Sequence, residues 1–94
     1  MFSISVNEKG TIVLTGRLDA AQVEKAREVL SGLVDSAVVD FQNLDYISSA
    51  GLGILLATQQ RLKKGGKAIK LIHMNRMVRD VFKIARFDLI FEIE

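Results

Sequence analysis

Two adjacent hydroxyls, Ser48 and Ser49, stand where a polar stretch gives way to an apolar run: Leu44-Asp45-Tyr46-Ile47-Ser48-Ser49-Ala50-Gly51-Leu52-Gly53-Ile54-Leu55-Leu56. The run after them has helical spacing, which places both serines at or beside a helix start. Serine is favoured at an N-cap because its oxygen accepts from a free backbone N–H two or three residues on. Either hydroxyl could do that and nothing more. The other chemistry open to a serine here is to carry a phosphate, since the unpaired N–H groups and the helix dipole both favour an anion at this end. Gly51 and Gly53 are poor helix formers. Their use would be to leave the backbone bare, so that another protein could approach closely.

Other chemistries find little support. The chain has no Cys and a single His, His73, which argues against thiol chemistry and against thiolate or imidazole metal clusters. No serine has a credible triad, because the one available base lies at a strand end and reads as a partly exposed loop histidine. Gly51-Leu52-Gly53 lacks the third glycine of a dinucleotide fingerprint, position 56 being Leu. Gly65-Gly66-Lys67-Ala68 lacks the spacing and the final hydroxyl of a phosphate-binding loop. Paired carboxylates for acid–base work need an apolar pocket that nothing here indicates. The expectation is a protein that is not an enzyme, with no cofactor and no metal.

At 94 residues, 49% hydrophobic and 26% charged, the chain is one domain, residues 1–94, with a small packed core. Met1-Phe2-Ser3-Ile4 does not begin a signal peptide. No apolar stretch reaches the roughly 20 residues that cross a bilayer, so no direct membrane insertion is expected and the location expected is the cytoplasm. A net charge of +2 is too small to imply nucleic acid without a concentrated patch. Arg61, Lys63, Lys64, Lys67 and Lys70 form a basic run, but no aromatic residues are interleaved to stack on bases, so it reads as a solvated face. Arg76, Arg79, Lys83 and Arg86 read likewise as the wet side of a third helix.

The elements that position the serines follow from periodicity. Phe2, Ile4 and Val6 alternate with polar residues as a half-buried strand does. Asn7 to Gly10 is turn material. Thr11 to Leu18 makes the second arm of a hairpin. Asp19 is a good N-cap, with Gln22 in a capping-box arrangement. Ala20, Val23, Ala26, Val29, Leu30 and Leu33 then form an apolar helical face, and Gly32 lies near its end. Ala37 to Phe41 reads as a central strand covered on both faces. The second helix runs to about Lys64 with Leu52, Leu55, Leu56 and Leu62 inward, and Gly65-Gly66 stops it. Ala68 to His73 is a strand. Asn75 caps a third helix with Met77, Val78, Val81, Phe82 and Ala85 inward, and Ile90 to Ile93 is a last strand. The order β-β-α-β-α-β-α-β is an α/β fold, mostly parallel, with an antiparallel first strand at one edge. Loops 17–20, 43–49 and 73–75 then meet beyond the strand ends, which places Asp19, Asp45, Ser48 and Ser49 near one another.

Asp45-Tyr46-Ile47-Ser48-Ser49-Ala50-Gly51-Leu52-Gly53-Ile54-Leu55 resembles the signature of STAS domains, the anti-sigma factor antagonist family. Gly16-Arg17-Leu18-Asp19 is similar to the family's segment before its first helix, Val38 to Phe41 to its central strand, and Met77 to Ala85 with Ile90-Phe91 to its closing helix and strand. The resemblance implies a partner-switching regulator. It would bind an anti-sigma factor that is itself a serine kinase, and so release a sigma factor. The kinase would phosphorylate the serine ahead of the small residue and Gly-Leu-Gly, which maps to Ser49. A PP2C-type serine phosphatase would reset it. The partner surface would comprise Asp19, Asp45, Ser48, Ser49, Ala50, Gly51, Leu52 and Gly53. The family often has Asp where this chain has Ser48, which leaves Ser48 as an alternative acceptor, and Ser or Thr where it has Ala50. Many members carry a further helix where this chain stops at Glu94, so a less covered sheet and a homodimer are expected. The family also includes accessory subunits of transporters and scaffold or sensor modules that need no phosphorylation.

Overall fold

The computed structural model describes every residue from Met1 to Glu94. Strands β1 (Phe2–Val6), β2 (Ile12–Leu18), β3 (Ala37–Ile47), β4 (Ile69–Ile72) and β5 (Glu92–Ile93) form one sheet in the order of the chain. β1 is antiparallel to β2, and every later pairing is parallel. Helices α1 (Val23–Leu30), α2 (Ser49–Lys63) and α3 (Arg76–Ile84) make the crossovers. Because strand order follows chain order, each right-handed crossover steps the same way and the helices share one face of the sheet.

Burial along the strands reflects that arrangement. In β2, Ile12, Leu14 and Leu18 are buried, while Thr15 and Arg17 are exposed. In β3, Val39, Phe41, Leu44 and Ile47 are buried, and Val38 and Asp40 between them are only half-buried. The sequence expectation of a central strand covered on both faces is therefore corrected. The apolar run arises because one valine, Val38, stands in the outward row beside the inward Val39 and Phe41.

The hairpin is set by Asn7, whose Oδ1 accepts from the N–H of Lys9 at 2.9 Å and of Thr11 at 3.0 Å. Gly10 turns the chain with φ +80. α3 takes its register from Asn75. Its Oδ1 accepts from Val78 N–H at 2.8 Å, and its Nδ2 donates to Leu44 O at 3.1 Å. Val78 and Phe82, four residues apart, then face the sheet. Met77, expected inward, is instead 63% exposed. Phe82 meets Phe41 and Phe91 edge-on at 5.9 and 5.8 Å, the favoured aromatic geometry.

Gln59 is a polar member of the core, 2% exposed. Its Oε1 accepts from Ile69 N–H at 2.8 Å and its Nε2 donates to Ile90 O at 3.1 Å. One side chain on α2 thus fixes the start of β4 and the approach to β5. The expected strand from Ile90 is shorter, Glu92–Ile93, because Phe87–Leu89 winds a 3-10 turn first. The basic run is partly engaged. Arg61 donates to Leu30 O at 2.8 Å and Leu33 O at 2.7 Å, at and just past the end of α1, where a cation complements the helix dipole. Lys67 pairs with Asp35 at 3.3 Å, and Lys70 with Glu94 at 2.9 Å and Glu92 at 3.6 Å. No helix is long and apolar enough to cross a membrane.

Candidate functional site

β3 is longer than its apolar core. It runs 11 residues to Ile47, through the stretch read as a loop. Its register against β2 slips twice, Asp40 to Asn43 opposite Val13 to Thr15, and Leu44 to Tyr46 opposite Gly16 to Arg17. Each slip leaves one extra β3 residue, the signature of a bulge. Bulges hide alternation, which is why polar Gln42, Asn43 and Asp45 resemble a loop in sequence. After the second slip Leu18 pairs with Ile47, and Ser48 N–H donates to Leu18 O at 2.9 Å. That bond sets Ser48 beside Asp19.

The two serines have different jobs. Ser48 is extended, with φ -90 and ψ 170, and its Oγ accepts from Gly51 N–H at 3.2 Å. Its hydroxyl is the cap of α2. Ser49 is the first residue of the helix and is exposed. Its N–H and that of Ala50 precede any acceptor four residues back, so they face out from the helix end. A free hydroxyl, two unclaimed N–H groups and the positive end of a 15-residue helix meet at Ser49.

Asp19 caps a 3-10 turn, Ala20–Gln22, rather than α1 directly, and its Oδ1 accepts from Ala21 N–H at 3.1 Å. Gln22 gives α1 no side-chain cap, so the expected capping box is not formed. Asp45 stands exposed at the second bulge, apart from the Ser48 N–H to Leu18 O bond that sets Ser48 next to Asp19. Next to it, Arg17 lies over the Tyr46 ring at 4.4 Å, a cation–π contact at the rim that the sequence reading missed. The register pairing of positions 17 and 46 creates it, and only the bulge reveals that pairing. His73, in the loop after β4, sits at φ 61 with its Nδ1 3.1 Å from Asp40 Oδ1.

The glycines also divide. Gly51 is buried, and a Cβ there would lie 2.9 Å from Ile47 Cγ1 and from Leu18 Cγ. Its bareness serves the fit of α2 against β2 and β3. Leu52 is buried too, at 5% exposure. In the free domain both pack inward against the sheet. Gly53 is exposed, and a Cβ there meets nothing within 4 Å. Besides Asp45, the members of the signature that face out are Ser49, Ala50 and Gly53, all on α2.

A profile of the family described as "Mlab, STAS domain" matches residues 4–92. The chain belongs to the STAS family. Among the relatives of this STAS protein is one of Bordetella bronchiseptica named "Putative anti-sigma factor antagonist BtrV", 34% identical over 84 residues, 85% of this chain and 72% of that protein. The fold is similar to that of the Bacillus cell-fate determinant SpoIIAA in its phosphorylated form, with a TM-score of 0.71 at 23% identity over 100% of this chain and 91% of that one. It is also similar to an anti-sigma factor antagonist from Mycobacterium paratuberculosis, with a TM-score of 0.82 at 17% identity over 99% and 83% of the two chains. The five-stranded mixed sheet with three helices is the STAS arrangement.

Proposed function

We propose that this STAS protein is a phosphorylation-controlled anti-sigma factor antagonist. Unphosphorylated, it binds an anti-sigma factor that is a serine kinase and thereby frees a sigma factor. The kinase then phosphorylates Ser49 and lets go, and a PP2C-type phosphatase resets the domain. The observation that carries the reading is the division of labour at the head of α2, where Ser48 caps and Ser49 is exposed. The name of the BtrV relative supports the antagonist role.

The physics suits such a switch. Phosphorylation adds about −1.5 to −2 charges at pH 7. The domain tolerates them, because they arrive at a helix N-terminus. A partner packed on Ser49, Ala50 and Gly53 with Asp19 beside them does not, since like-charge juxtaposition costs several kcal/mol. Each ~1.4 kcal/mol is tenfold in affinity, so one phosphate is enough to release the partner without unfolding anything.

Phosphopeptide mapping of the protein from its own cells, in growth and after stress, tests this. Phosphate on Ser49 that changes with condition is expected. Phosphate on Ser48 instead moves the acceptor by one residue. Its absence in every condition overturns the switch and points to a phosphorylation-independent subunit of a transporter or scaffold. With the kinase in hand, Ser49→Ala retains binding and Ser49→Asp loses at least about tenfold in affinity.

A further inference from the structure

Gly53 has no internal explanation. Its φ is not left-handed, and a Cβ there would meet no atom within 4 Å. Yet a glycine inside an exposed helix costs about 1 kcal/mol relative to alanine. Gly51, two residues earlier, is accounted for by Leu18 and Ile47. The space over Gly53 is part of an open groove of about 440 Å³ between α1 and α2. Its floor is Ala50, Gly53 and Ala57, its apolar walls include Val23 and Leu30, and Arg27 and Arg61 stand along it.

The groove begins one residue after the serine, at Ala50. Ser49 and Gly53 are four residues apart on α2 and so share one face of the helix. From Ala50 to Arg61 the helix rises about 16 Å at 1.5 Å per residue. Arg61 spends two N–H groups on Leu30 O and Leu33 O. A guanidinium has five, so donors remain. Arg27 is ion-paired only with exposed Glu24. The lining is thus apolar and small near Ser49, and cationic towards the other end.

We propose that this groove is the docking channel of the anti-sigma factor, which lays in it an apolar segment bearing a carboxylate that reaches Arg27 and Arg61. The inference rests on the Ser49 reading and adds to it the element that selects the partner. Gly53 lets the segment touch the α2 backbone, and a phosphate on Ser49 overhangs the channel mouth. Binding and release then compete for the same few ångströms of helix.

The test is the fraction of Ser49 phosphorylated in native cells carrying Gly53→Leu, Ala57→Leu or, as a control outside the groove, Ile84→Ser. Thermal melting of each purified protein runs alongside. Gly53→Leu and Ala57→Leu fill the channel from exposed helix positions, so both proteins stay folded. Each is expected to lower Ser49 phosphorylation at least about tenfold, while Ile84→Ser does not. Wild-type phosphorylation in both filled variants overturns the channel and leaves the Ser49 switch standing. No phosphate on Ser49 in the wild type under any condition overturns both.

Discussion

The Ser48 hydroxyl accepts the N–H of Gly51 at 3.2 Å, and that bond distinguishes two serines that are adjacent in the chain. One closes the helix and the other is left at the surface. Loss of a serine N-cap typically costs about 1 kcal/mol. Ser48→Ala is therefore expected to lower stability by about that amount in urea unfolding, whereas Ser49→Ala changes it by less than about 0.5 kcal/mol, as exposed substitutions do. Equal losses in the two variants would mean that both hydroxyls cap.

Gly51 and Gly53 should respond to alanine in opposite directions. At position 51 the new methyl meets Ile47 and Leu18 at 2.9 Å, and overpacking of this kind costs about 1–3 kcal/mol. At position 53 the methyl meets nothing, and helix propensity predicts a gain of up to about 1 kcal/mol. Melting temperatures of Gly51→Ala and Gly53→Ala check the pair, and two changes of the same sign refute the assignment.

Gln59→Leu keeps the volume but strands two backbone groups, Ile69 N–H and Ile90 O. A buried unsatisfied group costs about 1–3 kcal/mol. A destabilisation of roughly 2–6 kcal/mol is expected from the two together, by the same reasoning. Hydrogen exchange at the Ile69 amide should accelerate more than at Leu71. A variant as stable as wild type would show that water replaces the amide.

Lys70 gives a pH signature. A hydrogen bond and charge attraction from Glu94, with help from Glu92, raise its pKa above the ordinary 10.5. A raised folded-state pKa means the contribution is fully present below 10.5 and fades as pH climbs through the folded value. The urea midpoints of wild type and Lys70→Met should therefore differ at pH 9 and converge at strongly alkaline pH. A gap that persists there would assign the effect to packing of the lysine stem.

The fold was legible where periodicity and caps agree. Asn75 announces α3 and its side chain does cap it, and alternation in Phe2–Val6 finds the first strand. Legibility failed where tertiary register decides. Two bulges extend β3 to Ile47 through residues whose polarity reads as loop. Met77 fits an apolar helical face in sequence, but the Asn75 cap sets a register that turns it out. Gln59 carries no sequence signal of its burial, because its two partners lie 10 and 31 residues away. At the head of α2, spacing located the serines and glycines, but only the neighbours of each separated the cap from the free hydroxyl and the packed glycine from the bare one.

A sheet whose spatial order repeats its chain order has a consequence for how the protein is made. Each strand pairs with the one synthesised just before it, so no pairing waits for a distant segment to leave the ribosome. Only the hairpin is a local pairing; each parallel pairing closes a longer loop that contains a crossover helix, as Ile12 opposite Val39 and Ala37 opposite Ile69 do, and so forms more slowly. The hairpin can form first, with β3, β4 and β5 then added one at a time and each crossover helix packing on the sheet face beside the newest strand. The growing chain exposes one unfinished edge at a time, and the last addition is a strand of only two residues.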